Sequence, residues 1–436
     1  MIDKVTEPEN GNAPDHVQDL LERAHGDPAL RIKAAALLAA QERPSEALEQ
    51  WDILLAIDPG HTLALHEKAL LLNRLGQPAE AIACLERAVA IAPGDAVMAN
   101  NMAVMLSDAG RRDEALIQFE RALSLFPGNI HIEHQIKRLR AEMVPFWHIP
   151  MMNDERRNDA FEAAIVAAIG QAGEDALVLD IGSGSGLLAL MAARAGAREV
   201  VSCEMVPVIA RTAQRIVASS DHADQISIIG KASTELQVGQ DLPRRAKILV
   251  SEILSSDLLT EKVLDAFEDA HARLLEEDAI VIPKAATAVG CLIASETLSG
   301  YAFVGDVSGF DLSAFNPLGP MKLPIHGTMT DWERLSADID LVSVDLTAKR
   351  HGADLQHLQI PVERDGEAVG IVQWMRVELV QGVYFDNHPD EYSDGGWLQV
   401  LHRFPRPVRV RAGQMLDMAV GHDRTTLILV PFVPAV

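Results

Sequence analysis

Three glycines follow an aspartate at a spacing that could cradle a nucleotide. Asp180 stands two positions before Gly182, and Gly184 and Gly186 continue the alternation. The apolar residues around the aspartate predict a buried strand, and those after the last glycine predict a helix. Glycines permit the tight turn and the close approach of backbone to ligand that such a loop needs. A dinucleotide fingerprint reads G-x-G-x-x-G; the third glycine here comes one position early, which weakens a pyrophosphate interpretation.

The same loop resembles the loop that holds the nucleoside and the methionine part of the cofactor in class I methyltransferases. The next predicted strand ends at Glu204, and an acid at that point suits a ribose diol, which donates two hydrogen bonds. The resemblance implies that Asp180, Gly182, Gly184, Gly186 and Glu204 bind S-adenosylmethionine. The alternative is a glycine-rich packing turn without a ligand.

Two glutamates on one loop form a second candidate site. Glu252 comes just after a predicted strand, and Glu261 lies at the far end of the loop that follows. Ligands of open α/β sheets bind at this carboxyl edge. Two carboxylates brought together would repel each other, and a guanidinium between them would relieve that repulsion with a planar fork of donors. Taken alone, the pair is also consistent with solvated surface acids.

The spacing of these glutamates resembles the double-glutamate loop of protein arginine methyltransferases. In that family an arginine on the helix that caps the cofactor holds the methionine carboxylate, and Arg157 matches it. The resemblance implies that Glu252 and Glu261 are catalytic and that Arg157 and Ser233 bind the cofactor. It also implies a set of substrate-binding residues, namely His148, Met151 and Trp397.

Other motifs extend the resemblance over nearly the whole chain past residue 20. The segment W-H-x-x-M-M-N-D at residues 147–154 is similar to the branch with N-terminal tetratricopeptide repeats, known as branch nine. Residues 231–235 and 270–273 are similar to branch seven. Residues 309–313 and 395–399 resemble landmarks of the family's barrel.

Two positions depart from the family pattern. The family often has Thr-His-Trp near the active site, with the histidine in a catalytic dyad, whereas this chain has Gly395, Gly396 and Trp397. Many members place an acid near the adenine where this chain has Ser233. The first departure bears on proton handling, and the second bears only on contacts to the adenine.

A sequence repeat occupies the N-terminal third. Pro59, Pro93 and Pro127 recur at one constant interval, as do the Glu-Ala pairs that begin at positions 46, 80 and 114. A period of about 34 residues, with alanine at a tight helix crossing and proline after the second helix, predicts a tetratricopeptide array. Such arrays present a concave surface to partner segments. A packing spacer without a ligand is the alternative.

The remaining residues predict two further modules. Strands at 176–181, 199–204, 226–229 and 247–251 alternate with helices, which predicts a parallel sheet. Later strands at 289–293, 340–346, 370–379, 398–401 and 425–431 predict a β-rich barrel or sandwich. We therefore expect a polar tail over residues 1–18, a repeat array over 19–143, a Rossmann-like domain with its capping helix over 144–288, and a β-barrel substrate domain over 289–436.

Composition places the chain among globular proteins, with 48% hydrophobic and 23% charged residues. The formal net charge of −25 favours cationic partners over nucleic acid, although acidity can also serve solubility alone. Three cysteines far apart fit a reducing cytoplasm. Neither a signal peptide, nor a membrane span, nor a metal site is expected.

Together these patterns predict an enzyme that methylates arginine in a protein docked by the repeats, either as a homodimer or as a pseudo-dimer. A binding protein on an inactive methyltransferase fold is the competing interpretation. The substitution at Gly396 favours it, and the intact Glu252, Glu261, Arg157 and glycine loop oppose it. A methyltransferase acting on a small molecule or another side chain is a third possibility, but no amide- or base-methylating motif follows the fourth strand.

Overall fold

The chain divides into two compact units, each described here by itself. A computed structural model describes residues 13–24, 27–326, 329–391 and 395–432. The first unit is Met1–Val144 and the second is Pro145–Val436. Residues 1–12 of the predicted tail lie outside the described residues, and a helix begins at Ala13, inside the predicted tail. No helix in the described ranges is long and apolar enough to cross a membrane.

The first unit is helical throughout its described residues. Its helices are α1 (Ala13–Arg23), α2 (Pro28–Ala40), α3 (Pro44–Ile57), α4 (Thr62–Arg74), α5 (Pro78–Ile91), α6 (Ala96–Asp108), α7 (Arg112–Leu125) and α8 (Ile130–Met143). Two helices make up one repeat. From α4 to α8, each helix begins one period of the sequence repeat after the helix two places before it. The predicted tetratricopeptide array is confirmed.

Small side chains and repeated bonds hold successive repeats together. Ala47, Ala81 and Ala115, the alanines of the repeated Glu-Ala pairs, are completely buried, so paired helices approach closely. Arg87 donates to the carbonyl of Pro59 at 2.8 Å. The equivalent arginine of the next repeat makes the same bond, at the same length, to the equivalent proline carbonyl. The sequence period is therefore also a period of tertiary contacts.

The second unit opens with an α/β layer. Its elements are α9 (His148–Met152), α10 (Glu155–Ala172), β1 (Leu177–Ile181), α11 (Leu187–Arg194), β2 (Glu199–Cys203), α12 (Pro207–Ala218), β3 (Ile226–Ile229), β4 (Ala246–Ser251), α13 (Val263–Arg273) and β5 (Leu275–Ile282). The strand order is β3-β2-β1-β4-β5, and every pair is parallel. The order reverses direction beside β1, which is where open α/β sheets bind ligands.

A β-rich region follows. It contains β6 (Ala285–Ala294), α14 (Glu296–Ala302), β7 (Asp306–Val307), β8 (Phe310–Asp311), β9 (Lys322–Pro324), β10 (Glu333–Arg334), β11 (Ile339–Asp345), β12 (Asp354–Pro361), β13 (Gly366–Val380), β14 (Val383–Asp386), β15 (Val400–Val410), β16 (Met415–His422) and β17 (Leu427–Pro431). The strands form a seven-stranded sheet, a three-stranded sheet and a two-stranded hairpin. Neighbouring strands within them are antiparallel.

The α/β layer and the β-rich region share one apolar core. Buried side chains run without interruption from the parallel sheet to strands such as β13 and β16. The predicted boundary between residues 288 and 289 falls inside β6, which already begins at Ala285. The two regions therefore fold against each other, and the edge of the parallel sheet faces parts of the β-rich region.

Candidate functional site

The three glycines after β1 are required for different reasons. All have positive φ, which side-chain-bearing residues rarely adopt. A Cβ on Gly182 would lie 2.6 Å from Cγ2 of Ile253, and one on Gly186 would lie 3.3 Å from Cγ2 of Val217. A Cβ on Gly184 would meet nothing within 4 Å. Gly182 and Gly186 thus permit packing, and Gly184 faces open space that a ligand can fill.

Glu204 follows β2 and binds the glycine loop directly. One carboxylate oxygen accepts the backbone N–H of Gly184 at 3.1 Å, and the other accepts that of Val206 at 2.8 Å. The side chain is buried. Each oxygen has two lone pairs, so both can accept a further hydrogen bond.

Asp180 lies in β1 beneath this loop. Its Oδ2 accepts the hydroxyl of Ser202 at 2.7 Å, and its Oδ1 has no partner among the described residues. Burial raises the pKa of Asp180 to about 7. The hydrogen bond from Ser202 opposes this shift, and the negative charge of Glu204 adds to it. A buried acceptor without a donor marks this position as one that a ligand donor could complete.

Arg157 and Glu252 meet at the carboxyl edge of the sheet. Arg157 stands in the first turn of α10, and its Nη1 donates to Oε2 of Glu252 at 3.2 Å. The two side chains are only 3% and 4% exposed. Nη2 of Arg157 donates to Asn158 at 3.0 Å. The Nε of the arginine and the Oε1 of the glutamate have no hydrogen-bond partner in the described part of the chain.

The second glutamate of the loop contributes charge to the same place. Burial raises the pKa of Glu252 to about 7, the Arg157 guanidinium opposes that shift, and the charge of Glu261 adds to it. Glu261 is itself exposed as a residue, yet partial burial and the charges of Glu204 and Asp257 raise the pKa of its carboxyl. The charge of Glu261 thus acts on Glu252.

Ser233 opens a short 3-10 helix, Ser233–Glu235, after β3. It is buried, and its carbonyl accepts a bond of 3.2 Å from Arg273 of α13. The same guanidinium donates to the carbonyl of Leu236 at 2.7 Å. The chain beside the predicted adenine position is therefore fixed from α13.

The three predicted substrate residues take different positions. His148 begins α9, and its buried Nδ1 has no partner among the residues described. Met151 lies against Gly396, where a Cβ would approach its Cα to 2.5 Å and its backbone nitrogen to 2.9 Å. The glycine that replaces the family's histidine therefore allows α9 to pack on the loop before Trp397.

Trp397 is buried and supports the glutamate loop. Its indole N–H donates to the carbonyl of Leu254 at 3.0 Å, and its ring packs 5.3 Å from that of Phe385. The fully buried Asn387 fixes its backbone, since the Asn387 amide donates to the Trp397 carbonyl at 3.0 Å. The structure therefore places the predicted substrate residue Trp397 against the glutamate loop.

Sequence reasoning missed some residues that organise the site. Asp154 is the N-cap of α10, since its Oδ1 accepts the N–H of Arg157 at 3.1 Å. Its Oδ2 also accepts the N–H of Gly396 at 3.3 Å. No signal in the sequence links residues so far apart, so neither this bond nor that of Asn387 was predictable.

Comparison with known protein families finds relatives for both units. Two tetratricopeptide-repeat family models match residues 32–107 and 96–126. The family model of ribosomal protein L11 methyltransferase (PrmA) matches residues 164–282, which include the whole parallel sheet.

Individual relatives each match part of the chain. An arginine N(omega)-methyltransferase of Streptomyces achromogenes subsp. streptozoticus is 36% identical over 285 residues, which are 65% of this chain and 78% of that protein. A protein arginine N-methyltransferase 7 of Drosophila erecta is 28% identical over 319 residues, 64% of this chain but only 46% of the fly protein. The PRMT1 enzyme–prozyme heterotetrameric complex of Trypanosoma brucei with AdoHcy has the same fold. Its TM-score is 0.56 at 23% identity, covering 64% of this chain and 89% of the trypanosome chain.

Proposed function

This chain belongs to the arginine N-methyltransferase family, and we propose that it transfers methyl groups from S-adenosylmethionine to guanidino nitrogens of arginine in proteins. The observation that carries the proposal is the buried pair of Arg157 and Glu252, with an unsatisfied atom on each side chain. A buried ion pair that leaves polar atoms unpaired is costly. Here both atoms can be satisfied by ligands, a carboxylate at the arginine and a guanidinium at the glutamate.

The residues around the glycine loop fit S-adenosylmethionine. Arg157 would hold the methionine carboxylate, because its free Nε and its Nη groups form a fork that matches two oxygens. Glu204 has lone pairs left for the ribose hydroxyls. The open space at Gly184 suits the body of the cofactor. Ser233, buried after β3, would lie beside the adenine. When bound, the cofactor supplies a methyl group carried on a positively charged sulfur.

The two glutamates would hold and polarise the arginine substrate. A free guanidinium is a poor nucleophile because its lone pairs are delocalised and it is protonated. Glu252 and Glu261 would draw the positive charge away from the attacking nitrogen and fix its direction. Positioning of this kind contributes roughly 7–11 kcal/mol to lowering a barrier. Glu252, with a pKa raised to about 7, is also suited to accept the proton that the nitrogen loses.

The repeats would recruit the protein that is methylated. Ile57, Ile91 and Leu125 are the equivalent last residues of α3, α5 and α7, and each is exposed. Leu63 and Val97 repeat the pattern at the starts of α4 and α6. Exposed aliphatic side chains recurring along an array offer a row of equivalent contacts to an extended segment.

A second copy of the chain would cover part of the β-rich region. Four side chains between the start of β8 and the start of β9 are strongly exposed, with values of 69% for Phe310, 63% for Phe315 and 75% for both Leu318 and Met321. Apolar exposure concentrated in one short segment is typical of an interface. We therefore favour a homodimer. A reducing compartment such as the cytoplasm suits the three buried, unpaired cysteines.

The test combines a cofactor titration with intact-mass analysis. Calorimetry with S-adenosylmethionine and S-adenosylhomocysteine should give saturable binding. Incubation with a pool of arginine-rich peptides should add methyl masses, and the matching lysine-rich pool should stay unmodified, because an ammonium cannot fill a planar bidentate clamp. Tight cofactor binding without any methylated arginine peptide would favour an inactive scaffold instead.

A further inference from the structure

The loop that carries the two glutamates has a strained backbone. Leu258 and Lys262 have positive φ values of 79° and 57°, a conformation that costs energy in residues with side chains. Leu258 is also fully buried, so neither its backbone nor its side chain is free to relax. Strain of this kind persists only where the surroundings fix the chain. Contacts from outside the loop must therefore hold it.

Asp257 is the centre of those contacts. It lies about midway along the loop between Glu252 and Glu261. Its Oδ1 accepts the hydroxyls of Ser255, at 2.7 Å, and of Thr260, so one oxygen ties together both arms of the loop.

The second oxygen of Asp257 binds the β-rich region. Its Oδ2 accepts a hydrogen bond from Nζ of Lys322, the first residue of β9. Burial disfavours the charged form of Asp257, but the bonds from Lys322, Thr260 and Ser255 outweigh burial and keep the pKa of its carboxyl below the ordinary value. The carboxylate is therefore anionic and charge-paired across two parts of the fold.

His402 lies beside this pair. It is the register partner of Lys322 between β15 and β9. Burial lowers the pKa of His402 to about 4, and the positive charge of Lys322 contributes to the shift, so the imidazole is neutral. Its buried Nε2 has no partner among the described residues. The neutral histidine therefore adds no charge that would compete with Lys322 for Asp257.

The loop is also held at a second point. Besides the indole bond from Trp397 to Leu254, the N–H of Leu398 donates to Oγ of Ser256 at 3.1 Å. The segment after Gly396 thus fixes the start of the loop, and β9 fixes its middle. The position of Glu261, which follows the middle, depends on the pair at Asp257.

We propose that Lys322 and Asp257 are a positioning pair that sets where Glu261 stands relative to Glu252 and the substrate arginine. The inference rests on the proposed function for its kinetic consequence. Removing the ammonium leaves a buried carboxylate unpaired, and the loop then moves to solvate it. A misplacement of about 1 Å at a reacting group costs on the order of 100-fold in rate. Cofactor binding should change little, because Glu252 at the start of the loop stays paired with Arg157 and the glycine loop is not displaced.

Kinetics of Lys322→Met, Lys322→Arg and Asp257→Asn test the pair on an arginine peptide. We expect Lys322→Met and Asp257→Asn to lower kcat roughly 10- to 100-fold, with the KM for S-adenosylmethionine changed less than about twofold. Lys322→Arg, which keeps the charge, should recover most of kcat. The double variant should be no slower than Lys322→Met, as expected of residues that act together. The exposed Lys349 is the matched control, and Lys349→Met should behave as wild type.

Hydrogen exchange gives a readout that needs no activity. Amides of residues 253–262 should exchange faster in Lys322→Met than in wild type and Lys322→Arg, while those of β1 stay protected. If Lys322→Met shows unchanged exchange and a kcat within about twofold of wild type, Lys322 and Asp257 do not position the loop. If the wild-type chain methylates no arginine peptide, the proposed function is refuted instead. Hydrogen exchange alone would then show whether Lys322 and Asp257 hold the loop.

Discussion

At the scale of single residues, Gly184 separates ligand binding from packing. The glycines on either side of it avoid collisions with Ile253 and Val217, whereas Gly184 alone of the three faces open space. A side chain at Gly182 or Gly186 would therefore damage the fold, and a side chain at Gly184 would fill the place of the ligand.

Gly184→Val should abolish binding of S-adenosylmethionine while leaving the chain folded. The β-branched side chain occupies the ligand's space and disfavours the positive φ of 52°. Calorimetry measures the affinity, and circular dichroism checks the fold. Gly352→Val, at an open position without positive φ, is the control. Unchanged affinity in Gly184→Val would remove the loop from the cofactor site.

Gly396 shows why a departure from a family motif need not be a loss. Its N–H binds Asp154, and the backbone of Met151 fills the space that any side chain would need. Restoring the family's histidine there would force α9 away from the loop, because the contact is with backbone, which cannot rotate aside.

Gly396→His should therefore lower both stability and methylation, and it should not improve the rate. Overpacking of this kind costs about 1–3 kcal/mol. Denaturant unfolding gives the free-energy change, with Gly352→His as the control. A variant as stable as wild type and faster on an arginine peptide would show that the glycine is a defect.

At the scale of elements, most of the helices and strands that were predicted could be recognised from local sequence patterns. The repeat period predicted the helices of the first unit, and apolar runs predicted four strands of the parallel sheet nearly to their observed ends. Short or polar strands such as β9, β12 and β14 were missed, because exposed or mixed residues over so short a stretch have no clear period.

The candidate site was predictable only as far as its residues stand in recognisable motifs. Glu252 and Glu261 stand on one loop, so their spacing in sequence indicates their proximity. The residues that support the loop could not be predicted in this way. Lys322 and Asn387 reach the site from the β-rich region, far along the chain from the loop. The packing of α9 on Gly396 likewise depends on tertiary contact and has no sequence signature.

Removing the repeat array should separate recruitment from chemistry. The compact units divide between Val144 and Pro145, so a chain that begins at Pro145 should keep its cofactor affinity. It should methylate a short arginine peptide at nearly the full rate and lose activity mainly on the full-length target protein. Assays on both substrates measure the difference. An equal loss on the short peptide would mean that the repeats support the fold of the second unit.

At the scale of the whole molecule, charge and apolar exposure indicate two kinds of partner. The chain has 63 acidic residues against 38 lysines and arginines, a balance that attracts arginine-rich protein segments and repels nucleic acid. The exposed apolar side chains between β8 and β9 instead suit an apolar partner surface, such as the same segment of a second copy of the chain.

Charges placed in that apolar segment should dissociate the proposed homodimer. Phe315→Glu combined with Leu318→Glu would bury two unpaired carboxylates if the segment were still covered, which is strongly unfavourable. Light scattering after gel filtration should give the mass of a dimer for wild type and of a monomer for the variant. Tyr384→Glu, at an exposed position on β14, is the control. A monomeric wild type would contradict the proposed interface.

The central claim, that two glutamates clamp an arginine, is tested most directly by Glu252→Gln and Glu261→Gln. Each change keeps the shape and removes the charge. Losing one member of a desolvated charge pair costs roughly 2–5 kcal/mol, so methylation of an arginine peptide should fall about 30- to several-thousand-fold while S-adenosylmethionine still binds. Rates within about twofold of wild type in both variants, on a peptide that the wild-type chain methylates, would contradict the clamp.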